Sequence, residues 1–244
     1  MRYMGGKSRL AKSIRDVILS HVEVGKNTTY WEPFVGGCGA FEVIAPKFPR
    51  AIGSDIHRDL IMMWQEGMRV WSPPSTVSEQ QYQSMRRAEP SALRGFVGFG
   101  CSFGGKWFGG FARGGNNSDG TPRDHTAESS RNVSKTLEIL RPLEAEFKCI
   151  PYWDITPKEG DVVYCDPPYE GTTEYRDSGF DSSRFWEWAT NLSKQGVKVF
   201  VSEYKAPVGW KEVYRREVLS SVSRAEDREM AVDKLFKYCG EIGG

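Results

Sequence analysis

Between Thr28 and Pro46 the chain reads TTYWEPFVGGCGAFEVIAP, and this stretch narrows the fold more than any other. Thr28 to Trp31 is β-branched and aromatic and reads as a strand. Gly36, Gly37 and Gly39 then supply a tight turn, and a helix from Ala40 is stopped by Pro46. A strand ending in a glycine-rich turn that feeds a helix opens a nucleotide-binding α/β unit. A second short strand, Arg50 to Ser54, delivers Asp55, and the helix Arg58 to Val70 ends at Ser72-Pro73-Pro74.

The same texture frames the rest of the chain. Lys7 to Val22 reads as an amphipathic helix, with Leu10, Ile14, Val17, Ile18 and His21 on one face and Lys12, Arg15 and Asp16 on the other. After a break come a helix over 127–140, strands at 147–150 and 161–165, a helix from an Asp181 cap to Gly196, and the buried strand Val197 to Ser202. β segments near 217–222 and 231–238 close the sequence. The break itself, Gly98 to Gly120, has nine glycines in twenty-three residues, interleaved with Phe99, Phe103, Trp107, Phe108 and Phe111. It has neither a helical nor a strand period and is expected to be a structured loop outside the core. The layout predicts one α/β domain, 1–73 and 144–244, carrying an insert at 74–143, without internal repeats.

Bulk properties exclude several classes. The 244 residues are 39% hydrophobic and 27% charged, with a mean hydropathy of −0.51. No apolar run reaches the ~18 residues of a membrane span. MRYMGGKSRLAK has no apolar signal core, so a cytoplasmic protein is expected. Five scattered cysteines without a CxxC pair, and three histidines, argue against a metal site. The net charge is +1, but residues 86–141 hold nine Lys/Arg against five Asp/Glu, a local +4.

Two constellations carry chemistry. In the first, the turn Gly36-Gly37-Cys38-Gly39 lets backbone approach a ligand. Asp55, 23 residues after Glu32, stands where such units accept ribose hydroxyls. The full G-x-G-x-x-G pattern is missing, which argues against NAD or FAD. Gly5-Gly6-Lys7 lacks the strand and first glycine of a Walker A loop, and Lys7 taken alone reads as a solvated first-turn lysine. In the second, the strand Val162 to Cys165 runs into Asp166-Pro167-Pro168-Tyr169. Two prolines remove two donors and stiffen the chain at the carboxyl rim of the sheet. The Asp166 carboxylate, the Pro167 carbonyl and the Tyr169 ring would together suit a planar base with an exocyclic amino group.

These pieces resemble the amino-group DNA methyltransferases, in particular the Dam-like, D12-type adenine-N6 family. The matching blocks are Tyr3 to Lys7, EPFVGGCGAF (32–41), SDIHRDLI (54–61) and VVYCDPPY (162–169), with fainter echoes at 199–202 and 231–238. Cofactor motifs first, a recognition insert in the middle and the catalytic motif last is the class α order. The resemblance implies a Rossmann-like S-adenosylmethionine-dependent methyltransferase sheet with an inserted, mainly helical and loop target-recognition region. It implies that Tyr3 and Lys7 line the cofactor pocket, that Phe34 and the turn from Gly36 to Gly39 wrap the methionine part, and that Asp55 holds the ribose. It also implies that Asp154 lies near the amino group of the cofactor's own adenine, and that Asp166, Pro167 and Tyr169 carry out methyl transfer to a flipped adenine of the substrate, without a metal.

The implied partner is double-stranded DNA in a bacterial or phage-encoded, nucleoid-associated enzyme, with no membrane or obligate protein partner. Lys106, Trp107, Phe108 and Arg113 are the expected DNA contacts; the alternative is that these aromatics pack on the domain. Where Dam has an Asn and a base-reading Arg after Tyr-Gly-Tyr, this chain has Gly104-Gly105-Lys106 and Gly109-Gly110, so the resemblance carries over no recognition sequence. Adenine-N6 methylation of RNA and cytosine-N4 methylation of DNA remain alternatives, as does a non-catalytic DNA-binding protein.

Overall fold

The computed structural model describes residues 1, 3–169, 179–219 and 230–240. Seven strands among them form a single sheet: β1 (Thr29–Glu32), β2 (Arg50–Ser54), β3 (Glu146–Lys148), β4 (Val162–Cys165), β5 (Lys198–Ser202), β6 (Trp210–Leu219) and β7 (Met230–Tyr238). Their order is β3-β2-β1-β4-β5-β7-β6. The first five are parallel, and β7 runs antiparallel to both β5 and β6. This is the Rossmann-like arrangement expected, with an antiparallel hairpin at one edge.

The central strands are buried on both faces, which is why they read as continuous apolar runs. Alternate residues divide between two cores. Tyr30, Tyr164 and Phe200 face one layer, while Trp31, Val163, Cys165, Val199 and Val201 face the other. The first layer holds α1 (Ala11–Ser20), the short α2 (Phe41–Ile44), α3 (Arg58–Arg69) and α6 (His125–Leu140), the last being the crossover between β2 and β3. The second holds α7 (Ser182–Lys194), whose Asp181 cap accepts from the Arg184 amide as expected. At the amino edge, buried Asp161 joins β1 to β4. Its carboxylate accepts from the Thr29 amide (2.8 Å), the Trp31 indole (3.2 Å) and the Lys158 amide (2.9 Å).

Two expectations are corrected. The first helix starts at Ala11, not Lys7; residues 4–10 form turns that cross the sheet's carboxyl rim, and Lys7 is half-buried there. The glycine-rich break is no external loop at its start. The short helices α4 (Glu79–Met85) and α5 (Ala92–Gly95) lead into a wide helical turn, Phe96–Gly100, that is buried throughout. The glycines there admit neighbours. A Cβ on Gly95 would lie 2.3 Å from the Asp59 carbonyl oxygen, and one on Gly98 would lie 2.1 Å from the Trp107 ring. Phe96, Val97, Phe99, Cys101 and Phe108 accordingly join the same cluster as the sheet.

Candidate active site

The strand order reverses between β1 and β4, because β1 leads to one side of the sheet and β4 to the other. A crevice opens beyond the carboxyl ends of those two strands. On the β1 side the glycine turn is wound tightly, with Gly36 and Cys38 both at positive φ (46° and 58°). The Trp64 indole donates to the Gly36 carbonyl at 3.0 Å. Asp55, at the end of β2, holds this turn to the start of α3: its Oδ2 accepts from the Gly36 amide (3.2 Å) and its Oδ1 from the His57 amide (2.9 Å). Burial pushes the Asp55 carboxyl above the ordinary range, and the two amides oppose that rise.

The N-terminal segment lies on this turn. A Cβ on Gly36 would stand 2.7 Å from the Tyr3 ring, one on Gly37 2.6 Å from the Tyr3 Cβ, and one on Gly39 2.5 Å from the Ser8 hydroxyl. Glycine at all three positions therefore admits residues 3–8. The Met4 amide donates to the Gly105 carbonyl, and the Tyr3 ring packs on Phe99 with centroids 5.1 Å apart, tying the segment to the middle of the chain.

On the β4 side, Lys7 comes down between two carboxylates. Its Nζ is 3.5 Å from Asp166 Oδ1 and 3.4 Å from Asp233 Oδ1, and it lies 4.4 Å from the centre of the Tyr169 ring. Burial lowers the affinity of Lys7 for its proton, but Asp166 and Asp233 together outweigh it and the net shift is upward. Burial raises Asp166, against the pull of Lys7. Asp166 Oδ1 is a buried oxygen without a hydrogen bond. Glu32, at the end of β1, is pushed well above the usual carboxylate range by burial, although the Tyr30 hydroxyl donates to it at 2.6 Å. Tyr169 meets the Tyr204 ring edge-on at 4.8 Å.

These groups surround a cavity of about 560 Å³. Tyr3, Lys7, Phe34, Gly36, Gly39 and Asp55 line it from one side, and Asp166, Pro167 and Tyr169 from the other. Asp154 is not brought in. It is exposed, and its neighbours Tyr152 and Trp153 line the cavity instead.

None of the four expected DNA contacts lines the cavity. Lys106 and Arg113 are exposed, and Arg113 pairs with Glu79. Trp107 and Phe108 are corrected: both pack inward. The Trp107 ring lies 4.3 Å from His57 and 4.8 Å from Phe99, beneath the Arg94 guanidinium, and Phe108 packs on Tyr82. The aromatic left exposed in this segment is Phe103.

Glu32, Tyr204, Arg184 and Asp233 also line the cavity and were not expected there. Tyr204 had a signal, since it follows a buried strand whose end must reach the same rim. Asp233 had none, because only the antiparallel run of β7 brings a residue early in that strand to the carboxyl ends of the others.

Residues 3–89 match the family profile for the D12 class N6 adenine-specific DNA methyltransferases. The match takes in 87 of the 244 residues, the glycine turn and Asp55 among them, and over that stretch the chain resembles the D12 class. No curated protein matches the sequence. Among solved structures, the rRNA methyltransferase AviRa from Streptomyces viridochromogenes superposes with a TM-score of 0.46 and 13% identity, over 95% of this chain and 84% of that one. An RNA methyltransferase from Salinibacter ruber, in complex with S-adenosyl-L-homocysteine, gives 0.39 and 12%, over 96% and 94%. The N-methyltransferase NodS from Bradyrhizobium japonicum gives 0.42 and 10%, over 95% and 96%. Likeness at this level carries no argument about what this chain acts on. Among the described residues, no cluster of ligand side chains could hold a metal ion, and no helix is long and apolar enough to cross a membrane.

Proposed function

We propose that this chain is a D12-type methyltransferase, transferring a methyl group from S-adenosylmethionine to the N6 amino group of adenine in DNA. The observation that carries the reading is the buried, hydrogen-bond-free Oδ1 of Asp166 at the rim of the cavity, next to Pro167 and Tyr169. Buried polar oxygens are normally satisfied, and one left open beside a cavity is an acceptor waiting for a donor. An exocyclic amino group brings two N–H donors, one for Asp166 and one for the Pro167 carbonyl.

The residues fit the cofactor. A cavity of about 560 Å³ is of ordinary ligand size. Asp55 keeps acceptor capacity beyond its two backbone bonds and is assigned the ribose hydroxyls; Phe34 and the glycine turn are assigned the methionine part, with Tyr3 and Lys7 closing that side. Tyr152 and Trp153 replace Asp154 at the far wall. The carboxylates at the rim suit a cationic sulfur.

Bound S-adenosylmethionine supplies an electrophilic methyl carbon: its C–S bond breaks, the electron pair stays on sulfur, and the new N–C bond forms. Asp166 and Pro167 prepare the attacking nitrogen. By accepting its two N–H groups they draw it toward tetrahedral geometry and turn the lone pair out of the ring toward the methyl group. These hydrogen bonds strengthen as positive charge develops on N6, so they act on the transition state. The N6 proton then passes to Asp166, whose basicity burial has raised. Tyr169 stacks on the extruded base, because the reacting atom is unreachable inside a duplex. Lys106 and Arg113 are assigned to phosphates, Arg113 exchanging Glu79 for the backbone.

The test is transfer of labelled methyl groups from S-adenosylmethionine to unmethylated duplex DNA, RNA and protein in parallel, followed by mass spectrometry of the nucleosides. N6-methyladenine in DNA, abolished by Asp166→Ala with cofactor binding retained, is expected. N4-methylcytosine, or labelling confined to RNA or protein, overturns the assignment.

A further inference from the structure

Lys7 has two carboxylate neighbours, and only one of them is needed to accept a substrate N–H. A lysine facing a single carboxylate closes to a charge-assisted hydrogen bond of about 2.7–2.9 Å. Lys7 does so with neither. It stands 3.5 Å from Asp166 and 3.4 Å from Asp233, with the Tyr169 ring a third restraint at 4.4 Å. The division is nearly even, and its result is visible: Asp166 Oδ1 has a cation beside it but no hydrogen bond.

We propose that Asp233 is a positioning residue that holds Lys7 off Asp166, so that Asp166 Oδ1 stays charged by the ion pair yet open to the substrate amino group. The proposal rests on the methyl-transfer reading of this site. Without the negative charge at 233, the ammonium has one carboxylate left and moves onto Asp166 Oδ1, occupying the acceptor that the substrate nitrogen requires. Catalysis then slows while the cofactor's other contacts persist. The topology explains the residue's origin. The first half of β7 reaches the carboxyl rim because this strand runs against its neighbours, and it brings a carboxylate to the side of Lys7 away from the reacting atom.

The experiment compares the intact chain with Asp233→Asn, Asp233→Glu and Lys7→Met, and with the Lys7→Met, Asp233→Asn double variant. Single-turnover methyl transfer to unmethylated DNA and calorimetric binding of S-adenosylmethionine are measured for each. Asp233→Asn is expected to lower the transfer rate by about tenfold while the cofactor Kd moves less than about threefold. Asp233→Glu restores most of the rate. In the Lys7→Met background, Asp233→Asn adds nothing, because its effect runs through Lys7.

The pH profile supplies a second readout. Asp166 is faced by Lys7, Asp233, Tyr169, Glu32, Tyr164 and Tyr204. Of these, the Asp233 charge raises its pKa, so Asp233→Asn moves the acid limb to lower pH under a lower plateau. A wild-type rate in Asp233→Asn overturns the proposal, as do equal losses in the Glu and Asn variants or additive losses with Lys7→Met. Loss of folding or of cofactor binding in Asp233→Asn makes the role structural and overturns it too. An inactive Asp166→Ala with a fully active Asp233→Asn rejects the positioning role alone; an active Asp166→Ala rejects the methyl-transfer reading beneath it.

Discussion

Gly37→Ala tests whether the glycine turn serves the site or the core. The new methyl would stand 2.6 Å from the Tyr3 Cβ and 3.2 Å from its Cγ, so Tyr3 must retreat by roughly 0.8 Å to regain ordinary contact of about 3.4 Å. The Cβ is fixed to the backbone, and rotating the ring does not relieve the contact; the segment moves as a whole. The Gly6 amide donates to the Tyr3 carbonyl and the Leu10 amide to that of Lys7, so the displacement is passed to Lys7. A misplacement of this size at a reacting centre costs on the order of 100-fold, about 2.7 kcal/mol of transition-state stabilisation. The buried side chains of the sheet are untouched, and the urea midpoint should move little. Methyl transfer under kcat/KM conditions, beside equilibrium urea unfolding, gives both numbers. Unchanged kcat/KM, or a loss of activity matched by a large fall in stability, would refute the account of the turn as a seat for residues 3–8.

Other perturbations separate the roles of further residues. Asp161→Ala removes hydrogen bonds from two buried donors on β1 and from the more exposed Lys158 amide, and should destabilise by about 3 kcal/mol in urea unfolding, a loss under 1 kcal/mol being incompatible with the network. Trp107→Ala empties a packed position and should lower stability by about 3 kcal/mol or more, with the salt dependence of DNA binding unchanged. Lys106→Ala combined with Arg113→Ala should do the reverse, leaving the melting temperature in place and flattening the slope of log K against log salt by up to about 1.8. Asp166→Asn should raise stability near neutral pH. Because its folded pKa lies above the ordinary 3.8, the native state binds the proton more tightly than the unfolded chain, and the charged carboxylate opposes folding once pH exceeds that value. The advantage of the Asn variant should therefore shrink as pH falls toward 3.8, and a gap that widens on acidification contradicts the raised pKa.

The sheet was legible because its central parallel strands are buried along almost their whole length: VVYC is buried throughout, VKVFVS exposes only Lys198 near its start, and β2 falls at Arg50 to Ser54 as read. Asp55 and Asp166 were legible for the same reason, since a strand buried on both faces must end at the rim, and the next polar residue stands over the crevice. The edge hairpin was legible only in half: β7 falls at Met230–Tyr238 much as read, but β6 runs over Trp210–Leu219, mostly ahead of the segment expected near 217–222. β6 is an edge strand rich in Lys, Glu and Arg, and its polarity hides it from a search for apolar runs. The glycines at 95 and 98 misled because flexibility and close approach demand the same residue, and only the rings and backbone packed against them tell the two apart. Asp233 depended on strand direction, which has no local mark in the sequence.

The rim has a common cost. Burial moves Glu32, Asp55, Asp166 and Tyr169 all upward, so each is held where its charged form is disfavoured. Glu32 is relieved by the Tyr30 hydroxyl, and each Asp55 oxygen by a backbone amide. Asp166 is treated differently. Its cation is shared with Asp233 and its Oδ1 has no donor, although one closer approach of Lys7 would supply it. A rim arranged for stability alone would make that bond. Leaving it unmade places the unsatisfied acceptor at the one oxygen from which a substrate amino group can recover the lost energy, and this recovery is what binds the nitrogen in the geometry it needs to react.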